Sequence, residues 1–210
     1  MTFKAVCFDV GGVLTMSMES VMPQAAAKAG IDLVALGPVL AEMFISDGDG
    51  DNPGHRLERG EISIDEFAEL AGAHGASIRT LLHPDSEHFI MAALTPSPLM
   101  HDFVSEVHDT GLATGVISNV VHEWMPWWVK FTPPAHLFDT ILYSCAIGQR
   151  KPNSLIYETA ITNLAVEPSE ILYLDDFAPM ADAARKAGMR VIDVGDHASA
   201  IAEARRLLAL

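Results

Sequence analysis

The chain has 210 residues, half of them apolar and 20% charged, a balance that excludes intrinsic disorder and allows a buried core. With 28 acidic and 13 basic side chains, its net charge of −15 argues against binding to nucleic acid or an anionic membrane surface, and taken alone also disfavours a phosphate-bearing substrate. The two cysteines form no C-x-x-C pair, no apolar run reaches about 18 residues, and the N-terminus lacks signal-peptide features, so we expect no membrane span and a cytoplasmic location.

Five short apolar runs, rich in β-branched residues and bounded by turn residues, predict buried strands. They are Ala5–Phe8, Thr114–Ile117, Thr140–Tyr143, Ile171–Leu174 and Arg190–Val194. Helical patterns lie between the later runs and after the last one, at Leu99–Asp109, Leu155–Leu164, Pro179–Ala187 and Ser199–Leu208. Because strands alternate with helices, we predict an α/β fold with a doubly wound, Rossmann-like parallel sheet.

Residues 16–93 break this alternation. They contain no strand pattern, but four helical stretches, Ser20–Ala29, Leu33–Phe44, Ile64–Ala73 and Ser77–Leu82. A loop between a strand and a helix usually has about 2–6 residues, so this segment is too long to be one. We therefore predict a core of residues 1–15 and 94–210, with a helical domain of residues 16–93 inserted after the first strand.

Chemistry-bearing residues follow four of the predicted strands. In strand order they are Asp9 and Gly11, Ser118 and Asn119, Lys151 a short loop after the third strand, and Asp175 with Asp176. The carboxyl ends of parallel strands share one edge of the sheet, where such sheets bind ligands. Each residue alone could be a turn or a helix cap. All four groups together predict a site for a hard cation and a phosphoryl group.

These residues lie in four motifs that resemble those of the haloacid dehalogenase-like hydrolase superfamily. The motifs are FDVGGVL, VISN, GQRKP and YLDDF, and a helical cap follows the first motif in that superfamily, as residues 16–93 do here. Within it, RLERGEISIDEF, SCAIGQRKP and YLDDF most resemble the branch that contains the phosphatase domain of soluble epoxide hydrolases.

The resemblance implies a Mg²⁺-dependent hydrolase of small phosphomonoesters. It makes Asp9 the nucleophile that forms an aspartyl-phosphate, and it assigns Mg²⁺ to Asp9, the Gly11 carbonyl, Asp176 and, directly or through another ligand, Asp175. It assigns binding of the phosphoryl group to Lys151, Ser118 and Asn119. The implied partner is a small phosphorylated molecule, and a homodimer is compatible with the sequence. A bound cation would invert the local field, so the acidic net charge does not exclude a phosphate substrate.

Two positions depart from the family pattern. Family phosphatases usually carry a second Asp two residues after the nucleophile, where it acts as acid and base, and this chain has Gly11. Its backbone carbonyl can still meet a metal, but losing the acid raises the barrier by about 3–5 kcal/mol unless another group replaces it. Met180 stands where an Asn or Asp is common, four residues after Asp176.

These departures leave three interpretations open. The first is a phosphatase whose leaving group needs little protonation, or whose acid comes from elsewhere, with His55 and His122 as candidates. The second is a hydrolase of another bond, such as carbon–halogen, or carbon–phosphorus with Lys28 as the one lysine of the cap. The third is a binding or interaction protein on a weakened enzyme fold. The joint presence of Asp9, Ser118, Lys151 and Asp176 favours the first.

Two further patterns favour structural roles. Asp47, Asp49, Asp51 and Glu58 match positions of an EF-hand calcium loop, but Asn52 replaces its glycine, so we favour a polar loop. The helical spacing of Trp124, Trp127 and Trp128 favours core packing, with an aromatic wall of the pocket as the alternative.

Overall fold

The computed structural model describes residues 2–45 and 48–210, and its centre is a sheet of five parallel strands in the order β3-β2-β1-β4-β5. The strands are β1 (Ala5–Phe8), β2 (Ala113–Ser118), β3 (Thr140–Tyr143), β4 (Ile171–Asp175) and β5 (Arg190–Asp193). The predicted α/β class with a Rossmann-like parallel sheet is therefore confirmed, and the predicted strand ends differ from the observed ones by one residue at most.

Helices cover both faces of the sheet, because parallel strands bury both of their faces. The helices of the second half are α6 (Pro98–Asp109), α7 (Met125–Phe131), α8 (Ser144–Ile147), α9 (Ser154–Leu164), α10 (Ala178–Lys186) and α11 (His197–Leu208). Successive residues of β1 alternate between the two cores. Val6 and Phe8 belong to the core that contains α6, α7 and α11, and Ala5 and Cys7 to the one that contains α9 and α10.

Helices also fill the segment between β1 and α6. They are α1 (Met18–Ala29), α2 (Leu33–Ile45), α3 (Pro53–Glu58), α4 (Ile64–Leu70) and α5 (Gly75–Leu82), and no strand occurs in the described part of residues 16–93. Helix α3 was not predicted, although its capping Asn52, whose side chain accepts from the Gly54 N–H, and the following Pro53 are visible signals. Buried Leu57 and Phe67 belong to the same core as Phe8.

The two ends of this helical segment meet beside β1. Thr15 and Pro96 form an antiparallel bridge, and the backbone N–H of Ser97 donates to the Leu14 carbonyl at 2.8 Å. The segment therefore leaves and rejoins the sheet at one place, as an insertion would. The division into a core and a cap at residues 15/16 and 93/94 remains a prediction.

Strand β1 lies in the middle of the sheet, between β2 and β4. The chain builds β2 and β3 on one side of β1 and then crosses to build β4 and β5 on the other. Such a reversal opens a crevice at the carboxyl ends of the central strands, where ligands bind. Among the described helices, none is both long enough and apolar enough to cross a membrane.

Candidate active site

Three carboxylates meet at the carboxyl ends of β1 and β4. One oxygen from each of Asp9, Asp175 and Asp176 lies within 4.8 Å of the others, and no other such cluster occurs in residues 2–45 and 48–210. Asp9 and Asp175 are buried, whereas Asp176 reaches the surface. Several carboxylate oxygens at this spacing form the kind of ligand set that a hard divalent cation binds.

The backbone accounts for this convergence. Phe8 pairs with Leu174 in the parallel register, so the residues that follow them, Asp9 and Asp175, lie side by side at the carboxyl ends of β1 and β4. An irregular turn over Val10–Leu14 then brings Gly12 against Asp176. At Gly12 φ is +74°, and a Cβ there would lie 1.8 Å from Asp176 Oδ2, so any other residue would be strained and would displace the Asp176 carboxylate.

Lys151 supplies the positive charge of the site. Its Nζ lies 2.7 Å from Asp175 Oδ2 and 3.1 Å from Asp9 Oδ1, and it donates to the Tyr173 hydroxyl at 2.9 Å. Tyr173 in turn donates to Asp175 at 2.6 Å. Burial opposes the charged form of Lys151, but the carboxylates of Asp175 and Asp9 outweigh it and raise the pKa of the ammonium group.

One ammonium group does not balance three carboxylates. Burial raises the pKa of Asp9 although Lys151 and, less strongly, a hydrogen bond from Ser118 oppose the rise, and the buried Oδ1 of Asp9 has the ion pair with Lys151 but no regular hydrogen bond. Partial burial, together with repulsion from Asp9 and Asp175, raises the pKa of Asp176 to about 7. A divalent cation would relieve this repulsion, so the residues present fit Mg²⁺.

Ser118 and Asn119 lie at the end of β2 beside this cluster. Ser118 Oγ accepts a hydrogen bond from Trp128 Nε1 at 3.1 Å, which leaves its own proton for another acceptor. The Asn119 amide brackets Lys151: its Oδ1 accepts from the Lys151 N–H at 2.8 Å, and its Nδ2 donates to the Lys151 carbonyl at 3.0 Å. The Asn119 side chain therefore fixes the backbone of Lys151, and the backbone N–H of Asn119 is the group that remains for a ligand.

The structure thus gathers Asp9, Ser118, Lys151, Asp175 and Asp176 at one edge of the sheet, where the sequence predicts them. Gly11 lies in the turn after Asp9 with an ordinary extended backbone (φ −65°, ψ 123°).

The other candidates have different surroundings. His55 is buried, and its Nδ1 accepts from the Gly50 N–H at 3.0 Å. Burial and, less strongly, Arg150 lower its pKa, which disfavours the protonated ring that would have to supply the proton. His122 and Lys28 are exposed, and Met180 is buried in α10.

The calcium-loop pattern does not form an open set of ligands in the described residues. Asp49 forms an ion pair with Arg59 and accepts from Asn153 Nδ2 at 2.8 Å. Glu58 accepts from Arg150 Nε at 2.7 Å. Asp47 lies outside the described residues.

Sequence reasoning missed the pair of Glu58 and Arg150, which we call the α3 latch. Arg150 is 1% exposed, and besides Glu58 it binds the Gly48 carbonyl at 2.7 Å. Glu58 also accepts from Asn119 Nδ2 at 3.1 Å, and its backbone carbonyl accepts from Ser144 Oγ at 2.6 Å. The latch therefore joins α3 to the two loops that carry Asn119 and Lys151. Its one sequence signal is that Arg150 directly precedes Lys151.

Of the tryptophans, Trp124 and Trp128 are buried and stacked, with ring centroids 5.9 Å apart, whereas Trp127 is half-buried. Core packing, the favoured interpretation, describes Trp124 and Trp128. Trp128 also contacts the site, since its indole N–H binds Ser118.

The fold and the site together define an α/β protein with a buried acid–lysine centre at the carboxyl ends of its parallel strands. A family model for haloacid dehalogenase-like hydrolases matches residues 3–188, and the chain belongs to this family. This confirms the resemblance of the four motifs.

Curated relatives include enzymes of several names. The chain is 30% identical over 212 residues to mouse acyl-CoA dehydrogenase family member 10, covering 99% of this chain and 19% of the relative. It is 25% identical to pig bifunctional epoxide hydrolase 2, covering 99% of this chain and 39% of the relative. It is also 25% identical to a sesquiterpene phosphatase of Aspergillus oryzae, covering 99% and 97%. The chain therefore spans much less than the full length of the first two.

Solved structures share the fold. A predicted HAD-like hydrolase of Porphyromonas gingivalis superimposes with a TM-score of 0.71 at 20% identity over the whole of both chains. A HAD family enzyme of Bacteroides thetaiotaomicron, crystallised with magnesium and inorganic phosphate, superimposes with a TM-score of 0.65 at 18% identity, covering 92% of this chain and 96% of that one.

The two neighbouring glycines should respond oppositely to alanine. Gly12→Ala places a side chain at positive φ against Asp176, so we expect the free energy of unfolding to fall by at least about 1–2 kcal/mol. In Gly11→Ala the new Cβ contacts only Trp128, at 3.8 Å. We expect this variant to raise the free energy of unfolding by about 0.4–1 kcal/mol, because the unfolded chain loses conformational freedom. Urea denaturation measures both, and equal shifts would contradict this account.

The α3 latch should contribute strongly to stability. Arg150→Met leaves the Glu58 carboxylate without its buried partner, so we expect a loss of about 3–5 kcal/mol in the free energy of unfolding. Arg205→Met is the matched control, because it breaks a solvent-exposed pair with Glu106 and should change stability much less. Urea denaturation midpoints compare the two variants, and similar losses would show that the latch adds nothing beyond a surface pair.

Proposed function

We propose that this chain is a Mg²⁺-dependent phosphatase that hydrolyses small phosphomonoesters through an aspartyl-phosphate on Asp9. The observation that carries the proposal is the buried Asp9 carboxylate, held 3.1 Å from the Lys151 ammonium beside two further carboxylates. The names of the Aspergillus relative and of the magnesium- and phosphate-bound Bacteroides structure support it.

The chain's own residues supply a nucleophile and a phosphoryl-binding edge. Lys151, the Ser118 hydroxyl and the Asn119 backbone N–H would bind phosphoryl oxygens, which places phosphorus in front of the Asp9 carboxylate. A carboxylate oxygen of Asp9 attacks phosphorus, and water later hydrolyses the acyl phosphate that forms. Asp9, Asp176 and the Gly11 carbonyl would hold Mg²⁺, with Asp175 supporting them, and the bound ion would neutralise charge on the phosphoryl group.

We assign residues 16–93 to a cap over this edge. The support is the meeting of its two ends at Thr15 and Pro96 and the latch that ties α3 to the loop of Lys151. The cytoplasmic location stays a prediction that rests on the two free cysteines, Cys7 and Cys145.

A hydrolase of carbon–halogen bonds is the second candidate. Gly11 favours it, because a halide leaves without a proton. The three-carboxylate cluster favours the phosphatase, because displacement of a halide by a carboxylate needs no cation. Release of halide from small haloacids without Mg²⁺ would decide for the second candidate.

Replacing the nucleophile should abolish turnover. We expect Mg²⁺-stimulated phosphate release from a panel of small phosphoesters, and no release above background from Asp9→Asn, whose amide is a far weaker nucleophile. Release that survives Asp9→Asn, or that Mg²⁺ does not stimulate, would overturn the proposal. If ligands bind to both forms but neither turns over, the chain is a binding protein.

Asp176 should set the affinity for Mg²⁺. Asp176→Asn removes a ligand charge, so we expect the Mg²⁺ concentration for half-maximal activity to rise by at least about 10-fold, and chelation by EDTA to silence both proteins. Asp182→Asn, on the outer surface of α10, is the matched control and should leave that concentration unchanged. An unchanged Mg²⁺ requirement in Asp176→Asn would remove Asp176 from the metal site.

A further inference from the structure

We propose that this site is built for activated phosphoryl compounds, whose bridging oxygen departs as a stable anion, and that Trp128 forms the wall on the leaving-group side. Acyl phosphates, phosphoanhydrides and phosphates of acidic phenols or enols belong to this class. The inference rests on the proposed phosphatase function and names its substrate class.

Gly11 is the first observation. Its backbone lies in a region that any residue adopts, and a Cβ there would meet only the Trp128 side chain, at an ordinary contact distance of 3.8 Å. Glycine is therefore required at Gly12 but not at Gly11. The effect of Gly11 is therefore chemical: it places no proton donor two residues after Asp9, and the side chain next to its Cα is the indole of Trp128.

Apart from the Ser118 hydroxyl, which we assign to a phosphoryl oxygen, the hydroxyl and ammonium groups near Asp9 are engaged in other bonds. Lys151 donates to Asp175 and Tyr173, and the Tyr173 hydroxyl donates to Asp175 at 2.6 Å. The Tyr157 hydroxyl donates to a backbone carbonyl of α10 at 2.8 Å. In the described residues, these groups hold the nucleophile and its counter-ion in place, so none of them is free to protonate a departing oxygen.

Trp128 is held by packing in a position where it contacts both Ser118, which we assign to the phosphoryl group, and Gly11, on the side that we assign to the leaving group. It is 4% exposed, stacks on Trp124 and meets Phe131 edge-on, with centroids 6.2 Å apart. Because its indole N–H donates to Ser118 Oγ, the Ser118 proton is directed to another acceptor, which a phosphoryl oxygen would provide. The same ring lies against Gly11, so Trp128 is a positioning residue for Ser118 and a wall for the leaving group.

The reaction balances without an acid. Asp9 attacks phosphorus as its bond to the bridging oxygen breaks, and that oxygen leaves with the electron pair as an anion. Water then adds to phosphorus, the bond between phosphorus and the Asp9 oxygen breaks, and Asp9 regains its carboxylate. Both hydrogens of the water end on the released dihydrogen phosphate. A poor leaving group, such as an alkoxide, would require a proton in the first step.

The test is the dependence of rate on the leaving group. With saturating Mg²⁺, kcat/KM is measured by phosphate release from acetyl phosphate and from aryl phosphates whose parent phenols span a wide range of pKa. We expect the rate of the wild type to fall steeply as the phenol becomes less acidic. Gly11→Asp should flatten this dependence by raising the slow end about 10²-fold or more, whereas Gly11→Asn, a matched control without an acid, should stay steep.

Trp128→Phe separates positioning from acid chemistry. It keeps a ring but removes the N–H that Ser118 accepts, so kcat/KM should fall about 3- to 10-fold for every substrate with the slope unchanged. A shallow slope in the wild type, equal to that of Gly11→Asp, would mean that the chain supplies an acid, and would overturn the inference while the phosphatase stands. No phosphate release from any substrate, acetyl phosphate included, would overturn the proposed function itself.

Discussion

The site depends on one buried ammonium group. Lys151 is 2% exposed, and an unpaired cation at such a position would be strongly unfavourable, so the fold must bring carboxylates to it. Asp175 and Asp9 do this at 2.7 and 3.1 Å, and both side chains are buried, so the ammonium group in turn offsets the cost of burying them. Asp9 and Lys151 are thus interdependent, since removing Lys151 leaves two buried acidic side chains without a counter-charge, and removing Asp9 leaves the ammonium group with Asp175 as its one close carboxylate.

This interdependence explains why so much of the fold serves to place Lys151. The parallel register of β1 and β4 sets Asp9 and Asp175 side by side, while Asn119 holds the Lys151 backbone from the end of β2. Asn119 is in turn held by Glu58 of α3, so a contact in the helical segment reaches the ammonium group through one intermediate residue. A movement of α3 would therefore shift Asn119 and, through it, the backbone of Lys151.

The sequence predicts the parts of this arrangement that are local. Strands, most helices and the strand-end residues follow from periodicity and turn chemistry, which act over a few residues. The resemblance to the family adds the roles expected of Asp9 and Lys151, but the contact between these two side chains comes from the structure. The α3 latch is different, because Glu58 and Arg150 are 92 positions apart and a buried ion pair has no periodic signature. The contact of Trp128 with the site is not predictable from the sequence for a related reason. The spacing of the tryptophans indicates packing, and only the fold shows that the indole N–H of Trp128 donates to Ser118 Oγ.

Gly11 also alters the electrostatics of the cluster. Three carboxylates already share one ammonium group, and partial burial, together with repulsion from Asp9 and Asp175, raises the pKa of Asp176 to about 7. A fourth carboxylate at position 11 would add to this repulsion and would compete with Asp9 for the charge of the cation. On the proposed substrate class, whose leaving group is a stable anion, that acid is not needed, and the cluster carries less negative charge without it. The proposed class of leaving group would then account both for the absence of an acid at Gly11 and for the indole ring of Trp128 beside it.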